Sequence, residues 1–204
     1  MLVLSHWPYI QTITLSGNIK KDTVNLLTAN SKQKTSAHCI SVAQKSKEIA
    51  DRFGLDESIA FISALLHDVS NIMKPKDMLD YALHCNWEID ASERKYPFLL
   101  HQRLSAVFAK ELFKVDDPLI LSAIECHTTL KENPSDYDML LFLADKLSWD
   151  QEGVPPFYDV VSSALEKSLA HASLIYINFV LDKGMILSPH RWLMNAKGWL
   201  EDLE

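Results

Sequence analysis

The apolar run FISALLHD closes on His67–Asp68, and four further ionisable side chains stand in comparable settings: His38 before the pair, and His101, His127 and Asp145 after it. Each lies in a stretch with helical periodicity and shares a face with apolar residues. His38 aligns with Val42 and Ile49, and His101 with Leu104, Ser105, Phe108 and Leu112. His127 aligns with Ile120, Ala123 and Ile124, and Asp145 with Leu141 and Phe142. Offsets of three, four, seven and eleven residues place side chains on one side of a helix. Six polar groups therefore face a core, where burial without partners is costly. A single histidine on an apolar face is more often a core residue bonded to a carbonyl. That reading fits one histidine better than four, joined by two aspartates, over five segments. A metal cluster satisfies all six together. Imidazole with carboxylate suits Fe, Mn, Zn or Ni, not an all-oxygen calcium site.

The elements that must hold these groups are nearly all helical. The chain has only five glycines, and strand-like alternation is scarce. The segment KKDTVNLLTA predicts one helix, and a second carries His38 to about Phe53. Gly54 suits its end, and Asp56 caps a third helix that runs to His67–Asp68. Pro75 and Pro118 fit first-turn positions, the latter after Asp117 as cap. Helices are expected over 101–114, 118–128 and 136–149. The double proline at 155–156 predicts the start of a long helix ending near Gly184, and Ser188–Pro189 the start of a last one bearing Trp192 and Trp199. Those two aromatics suit packing or a dimer face, so a homodimer is among the expectations. The first 18 residues are the least defined, although TITL has extended character. The polar stretches TLKENPSD and WDQEGVPP flank proposed ligands.

Composition narrows the function classes. With 204 residues the chain fits one domain with a substantial core. A net charge of −7 argues against general nucleic-acid binding, yet leaves room for a small phosphorylated ligand. Cys39, Cys85 and Cys126 are odd in number and widely spaced, which suggests free thiols rather than a disulfide framework. Free thiols, and an N-terminus without a basic start, suit the cytoplasm. The run SLIYINFVL is too short to span a bilayer. No P-loop, dinucleotide-binding glycine pattern or G-x-S-x-G elbow is present.

The order H…HD…H…H…D resembles the HD-domain metal-dependent phosphohydrolases. The segments ALLHDVSN, YPFLLHQRLSAVFAKELF, AIECHTT and LLFLADKL are similar to those of the YqeK-like branch, the symmetrical dinucleoside tetraphosphatases. The resemblance runs from about Thr35 to about Gly184. It implies an all-α HD-domain helical bundle, with residues 1–34 as an N-terminal extension packed on the domain and 35–204 as the HD domain with its C-terminal helices. It implies metal ligation by His38, His67, Asp68, His101, His127 and Asp145, with Asp68 bridging two ions and His67–Asp68 at the catalytic centre. Two divalent transition metals are expected, iron first, with Mn, Ni or Zn as alternatives.

In two-metal sites a bound water loses its proton near neutral pH and attacks phosphorus in line with the leaving oxygen. The activity implied is hydrolysis of diadenosine tetraphosphate into two ADP. The rivals are a mononucleotide phosphatase and a metal-bound nucleotide sensor or interaction module with little turnover. The chain departs from the branch's usual residues around the ligands. Thr35 stands where Arg is usual, Asn71 where Lys is usual, Gln102 and Leu130 where Gly is usual, and Gln151 where Arg is usual. Three of these changes remove cations, and phosphate recognition leans on Arg and Lys. Substrate contacts are expected from Asn71, Arg103, Thr128, Lys131 and Lys146, with Arg103, Lys131 and Lys146 as candidate replacement cations.

Overall fold

The computed structural model describes residues 4–149 and 153–203. Eleven α-helices make up the described part, joined by short 3-10 turns, and no strand occurs among the described residues. Helix α1 spans Ile19–Ala29, capped by Asn18, whose side chain accepts the Lys21 N–H. Helix α2, Gln33–Phe53, ends on Gly54 at φ 66°, a left-handed position where a side chain would be strained. Helix α3, Glu57–Leu66, starts at Asp56, whose carboxylate accepts the Ser58 N–H. A 3-10 turn at Val69–Ile72 leads to α4, Pro75–His84. Next come α5, Ala91–Lys95, a 3-10 turn at Pro97–Leu100, and α6, His101–Glu111. Helices α7 (Pro118–Cys126), α8 (Asp136–Leu147), α9 (Tyr158–Leu165), α10 (Leu169–Asp182) and α11 (Arg191–Glu201) complete the chain.

Helix α2 packs on α3 and α8, α7 is flanked by α6, α3 and α8, and α10 packs against α8, α9 and α11. The apolar interior has two parts. The larger gathers Val42, Leu66, Ile124, Phe142 and Ile177; the smaller gathers Leu27, Cys39, Val69, Leu100 and Phe108. Leu66 belongs to the first and Val69 to the second, so His67 and Asp68 sit where the chain crosses between them. Cys39 and Val42 on α2 straddle the same seam. A seam is where polar groups can converge without filling either core.

The predicted elements are present with three adjustments. The single long helix expected from 155–156 to Gly184 is two helices. Ser168 is extended, at φ −168° and ψ 163°, and its hydroxyl accepts the His171 N–H, so α10 starts afresh. The last helix begins at Arg191, because the His190 ring rather than Ser188 caps it, taking the Trp192 N–H at 3.0 Å. The helix expected over 101–114 stops at Glu111, and Lys114 turns to φ 60°. Helix α5 was not expected, although Asp90 and Glu93 form a capping box there.

Candidate metal centre

Three of the four histidines owe their orientation to helix ends. His67 follows α3, His127 follows α7, and His101 follows the 3-10 turn at 97–100. The last carbonyls of a helix have no intrahelical donor. Each ring supplies one: Nδ1 donates to the carbonyl three residues back, Ala64 at 2.7 Å, Phe98 at 2.7 Å and Ile124 at 2.8 Å respectively. The familiar carbonyl-bonded core histidine is thus half of the truth here. Because Nδ1 carries a proton toward its carbonyl, Nε2 is the ring nitrogen aimed inward, and in the neutral ring it is a lone pair.

These inward atoms meet. Nε2 of His101 and Nε2 of His127 are 3.0 Å apart. Asp68 Oδ1 lies 3.3 Å from His101 Nε2 and 3.7 Å from His127 Nε2, and Asp68 Oδ2 lies 3.7 Å from His67 Nε2. Asp145 Oδ1 is 2.9 Å from His38 Nε2 and 3.7 Å from His67 Nε2. All six expected ligands therefore converge, His38 from α2 and Asp145 from α8 on one side, His101 and His127 on the other, with His67–Asp68 between them. Two triads have donor atoms mutually within 4.8 Å: His38, His67 and Asp145; and His67, Asp68 and His127.

The electrostatics are those of a site short of positive charge. Burial alone would depress the His67 pKa, but Asp68 and other neighbours hold it well above the usual imidazole value. Burial, reinforced by the neighbouring His67 and His101, holds His127 well below that value. Asp68 stays below the carboxylate range despite burial, owing to His67, His101 and His127. Asp145 does likewise, owing first to Lys146 and then to His38 and His67. His67 Nε2 is buried without a hydrogen-bond partner. The donor set fits a transition metal: imidazole nitrogens with carboxylate oxygens, three of the four rings held by a carbonyl behind them. Ions held there would lower the pKa of a coordinated water and draw charge from a phosphoryl group.

A cavity of about 410 Å³ opens beside the cluster. His38, Asp68, Asn71, Asp145 and Lys146 are among the residues that line it. Phe98, Trp149, Phe157, Tyr176, Met185 and Ile186 form much of the rest. The expected substrate residues divide accordingly. Asn71 lines the cavity, with Oδ1 buried and unpartnered. Lys146 lines it too, but its ammonium is 2.6 Å from Asp145 Oδ2 and donates to the His127 carbonyl at 3.3 Å. Thr128 Oγ1 is 3.2 Å from His101 Nε2. Arg103 and Lys131 are not brought to the cavity lining. Arg103 pairs with Glu93 and stacks over Trp87, and Lys131 bonds Ser122 and faces Asp138. Gln151 lies outside the described residues.

Sequence reasoning gave no role to two contributors, although Gln102 stood out as a departure from the branch's usual glycine. Gln102 is fully buried, and its Oε1 accepts the N–H groups of Thr128 and Thr129 at 3.1 and 3.3 Å, fixing the loop after His127. Its place next to a proposed ligand was the available signal. The wall built by Phe157, Tyr176, Met185 and Ile186 left no local signature, since those residues read as core or loop.

Comparison with known proteins identifies the family and the fold. The HD domain family model matches residues 35–150. An uncharacterized protein in the pepC 5' region of Lactococcus lactis subsp. cremoris is 41% identical over 148 residues, covering 72% of this chain and 75% of that protein. A protein of Halalkalibacterium halodurans named bis(5'-nucleosyl)-tetraphosphatase, symmetrical, is 25% identical over 158 residues, 74% of this chain and 82% of its own. A solved structure from Clostridium acetobutylicum, described as a predicted HD superfamily hydrolase involved in NAD metabolism, superposes with a TM-score of 0.79 at 24% identity, covering 95% of this chain and all of that one, and so shares the fold. With more than half its length matched by the family model, the chain belongs to the HD-domain family.

Proposed function

We propose that this HD-domain hydrolase cleaves a phosphate bond of a nucleotide at a metal centre held by His38, His67, Asp68, His101, His127 and Asp145. The observation that carries the reading is the 3.0 Å approach of His101 Nε2 and His127 Nε2. With both Nδ1 protons engaged by carbonyls, two lone pairs face each other in a buried place. Such an arrangement is unfavourable until a cation, a proton or a metal ion, is shared between them. Asp68 between the two histidine groups is the residue suited to bridge a pair of ions, and iron leads Mn, Ni and Zn as the candidate.

Symmetrical cleavage of diadenosine tetraphosphate to two ADP is the first specific activity to test, because relatives carry that name. A mononucleotide phosphatase is the second reading, favoured by the pairing of Lys146 with Asp145. The test is a panel of dinucleoside polyphosphates and mononucleotides incubated with purified, metal-loaded protein, with products resolved. Two ADP and no ATP or AMP supports the first reading; nucleoside and phosphate supports the second. No turnover on any member, with metal loading verified, overturns the hydrolase and leaves a nucleotide sensor.

A further inference from the structure

The cavity beside the ligand cluster has a distinctive charge pattern. Among its described lining residues the ionised groups at neutral histidine are Asp68, Asp145 and Lys146, two negative and one positive. The lining is therefore net negative by one charge. Its one cation is also committed: Lys146 Nζ holds Asp145 Oδ2 at 2.6 Å and the His127 carbonyl at 3.3 Å.

The polar groups that remain are neutral. Asn71 Oδ1 and Ser148 Oγ are buried, each residue 8% exposed, and neither atom has a hydrogen-bond partner. Both line the cavity, Asn71 on the turn after Asp68 and Ser148 at the end of α8. Thr35 and Tyr176 add two more hydroxyls. Buried polar atoms without partners are costly and are satisfied by a ligand that offers complementary groups. The rest of the wall is aromatic or aliphatic: Phe98, Trp149, Phe157 and Val180. At about 410 Å³ the cavity falls within the usual span of small-molecule sites, roughly 300–1,000 Å³.

Positive charge for a phosphate thus comes from ions at the convergence of the six ligands and from no other free group among the described lining residues. One phosphate placed there is compensated. Both carboxylates are taken up at the ions, so each further phosphate would run beside neutral groups and meet no free ammonium or guanidinium among the described lining residues, the groups that make phosphate contacts strong. We infer that this centre, taken as the nucleotide phosphohydrolase proposed above, selects a nucleoside monophosphate. One phosphate rests at the metals, sugar and base lie against Asn71, Ser148, Tyr176 and the aromatic wall, and additional phosphates add no affinity.

The experiment is equilibrium binding of three slowly hydrolysed probes to metal-loaded protein at fixed ionic strength and free metal. The probes are the monophosphorothioate, β-thiodiphosphate and γ-thiotriphosphate of adenosine. The expected result is a flat or falling series, with affinity rising by less than about threefold per added phosphate, under 1 kcal/mol each. A steeper rise overturns the inference, as does the absence of binding by all three. Asn71→Lys is the second arm. A cation there should convert the flat series into one that climbs with phosphate number, and a series that stays flat in a folded, metal-loaded variant also overturns the inference. The two proposals fail separately. A steep series with turnover sinks the monophosphate preference and spares the hydrolase, whereas a flat series without turnover on the nucleotide panel does the reverse.

Discussion

Two buried polar clusters flank α6, and they are built on opposite principles. On one side, Glu93 is 1% exposed and meets the Arg103 guanidinium at 3.4 Å through both oxygens, while Oε2 also accepts the Asp90 N–H at 2.8 Å. Arg103 lies over the Trp87 ring at 4.3 Å, donates to the Glu88 carbonyl, and has Trp192 at 5.7 Å. Charges of opposite sign alternate there, and Glu93 and Arg103 both have partners. On the other side, like faces like. Imidazole lone pairs meet at 3.0 Å, and His67 Nε2 has no hydrogen-bond partner. In the first cluster the ion pair is complete as a protein, although His190 Nε2, 3.5 Å from Glu93 Oε1, has no hydrogen-bond partner. The second is complete only with cations. Burial and polarity alone do not separate a structural network from a functional one; the sign pattern does.

The largest test of this contrast is removal of Asp68. Asp68→Ala should abolish turnover and strip the bound metal, a loss beyond the roughly 10–100-fold that follows from losing a group that merely supports a ligand. Metal content by elemental analysis, alongside product formation, measures it, and unchanged circular dichroism shows that the helices persist. A variant with parental activity and metal content would rule out the bridged centre.

Much of this cluster was legible in the sequence, for a physical reason. Helical spacing fixes which face a side chain occupies, so His101 beside Leu104 and Phe108, or Asp145 beside Leu141, had to point inward. The helix ends at Gly54, Asp56, Pro75 and Asp117 were readable because caps are local chemistry. The Glu93 cluster was not legible. Its members, Glu93, Arg103 and His190, are brought together by tertiary packing, and Arg103 was expected at the substrate on charge alone. Likewise the break between α9 and α10 depended on one hydroxyl, Ser168, outweighed in the sequence by the apolar pattern on both sides.

The Glu93 cluster should fail as structure rather than as chemistry. Glu93→Ala leaves Arg103 largely buried without its partner and should cost about 3–5 kcal/mol, the scale for breaking a buried pair from one side. Metal affinity should not change. The pH dependence has a definite sign. Burial opposes ionisation of Glu93, but His190, the Asp90 N–H and Arg103 outweigh it and hold its pKa below the usual value. Its contribution is therefore present above about pH 4.3, the unperturbed glutamate value, and is lost as pH falls through the lower folded value. Chemical denaturation of Glu93→Gln and parent should show a gap at pH 7 that narrows in acid. A gap that widens in acid would contradict the assignment.

The smallest expected effect falls on Lys146, which stands between the two principles: a satisfied ion pair placed inside the unsatisfied cluster. Its ammonium takes Asp145 Oδ2 and leaves Oδ1 facing His38 and His67. That division fixes which oxygen is offered to an ion, so Lys146 acts as a positioning residue. Lys146→Met keeps an unbranched side chain of nearly the same length but removes the ammonium, which lies 5.2 Å from the Phe142 ring centroid, and frees the carboxylate to rotate. Metal affinity should fall by about tenfold, the lower end of the range for groups that orient a ligand. The KM for a mononucleotide, measured at saturating metal, should stay near the parental value. Had Lys146 served the phosphate directly, the pattern would invert: metal affinity would hold and KM would climb. Metal titration and steady-state kinetics on one preparation decide between them, because a positioning role and a phosphate-binding role move different constants.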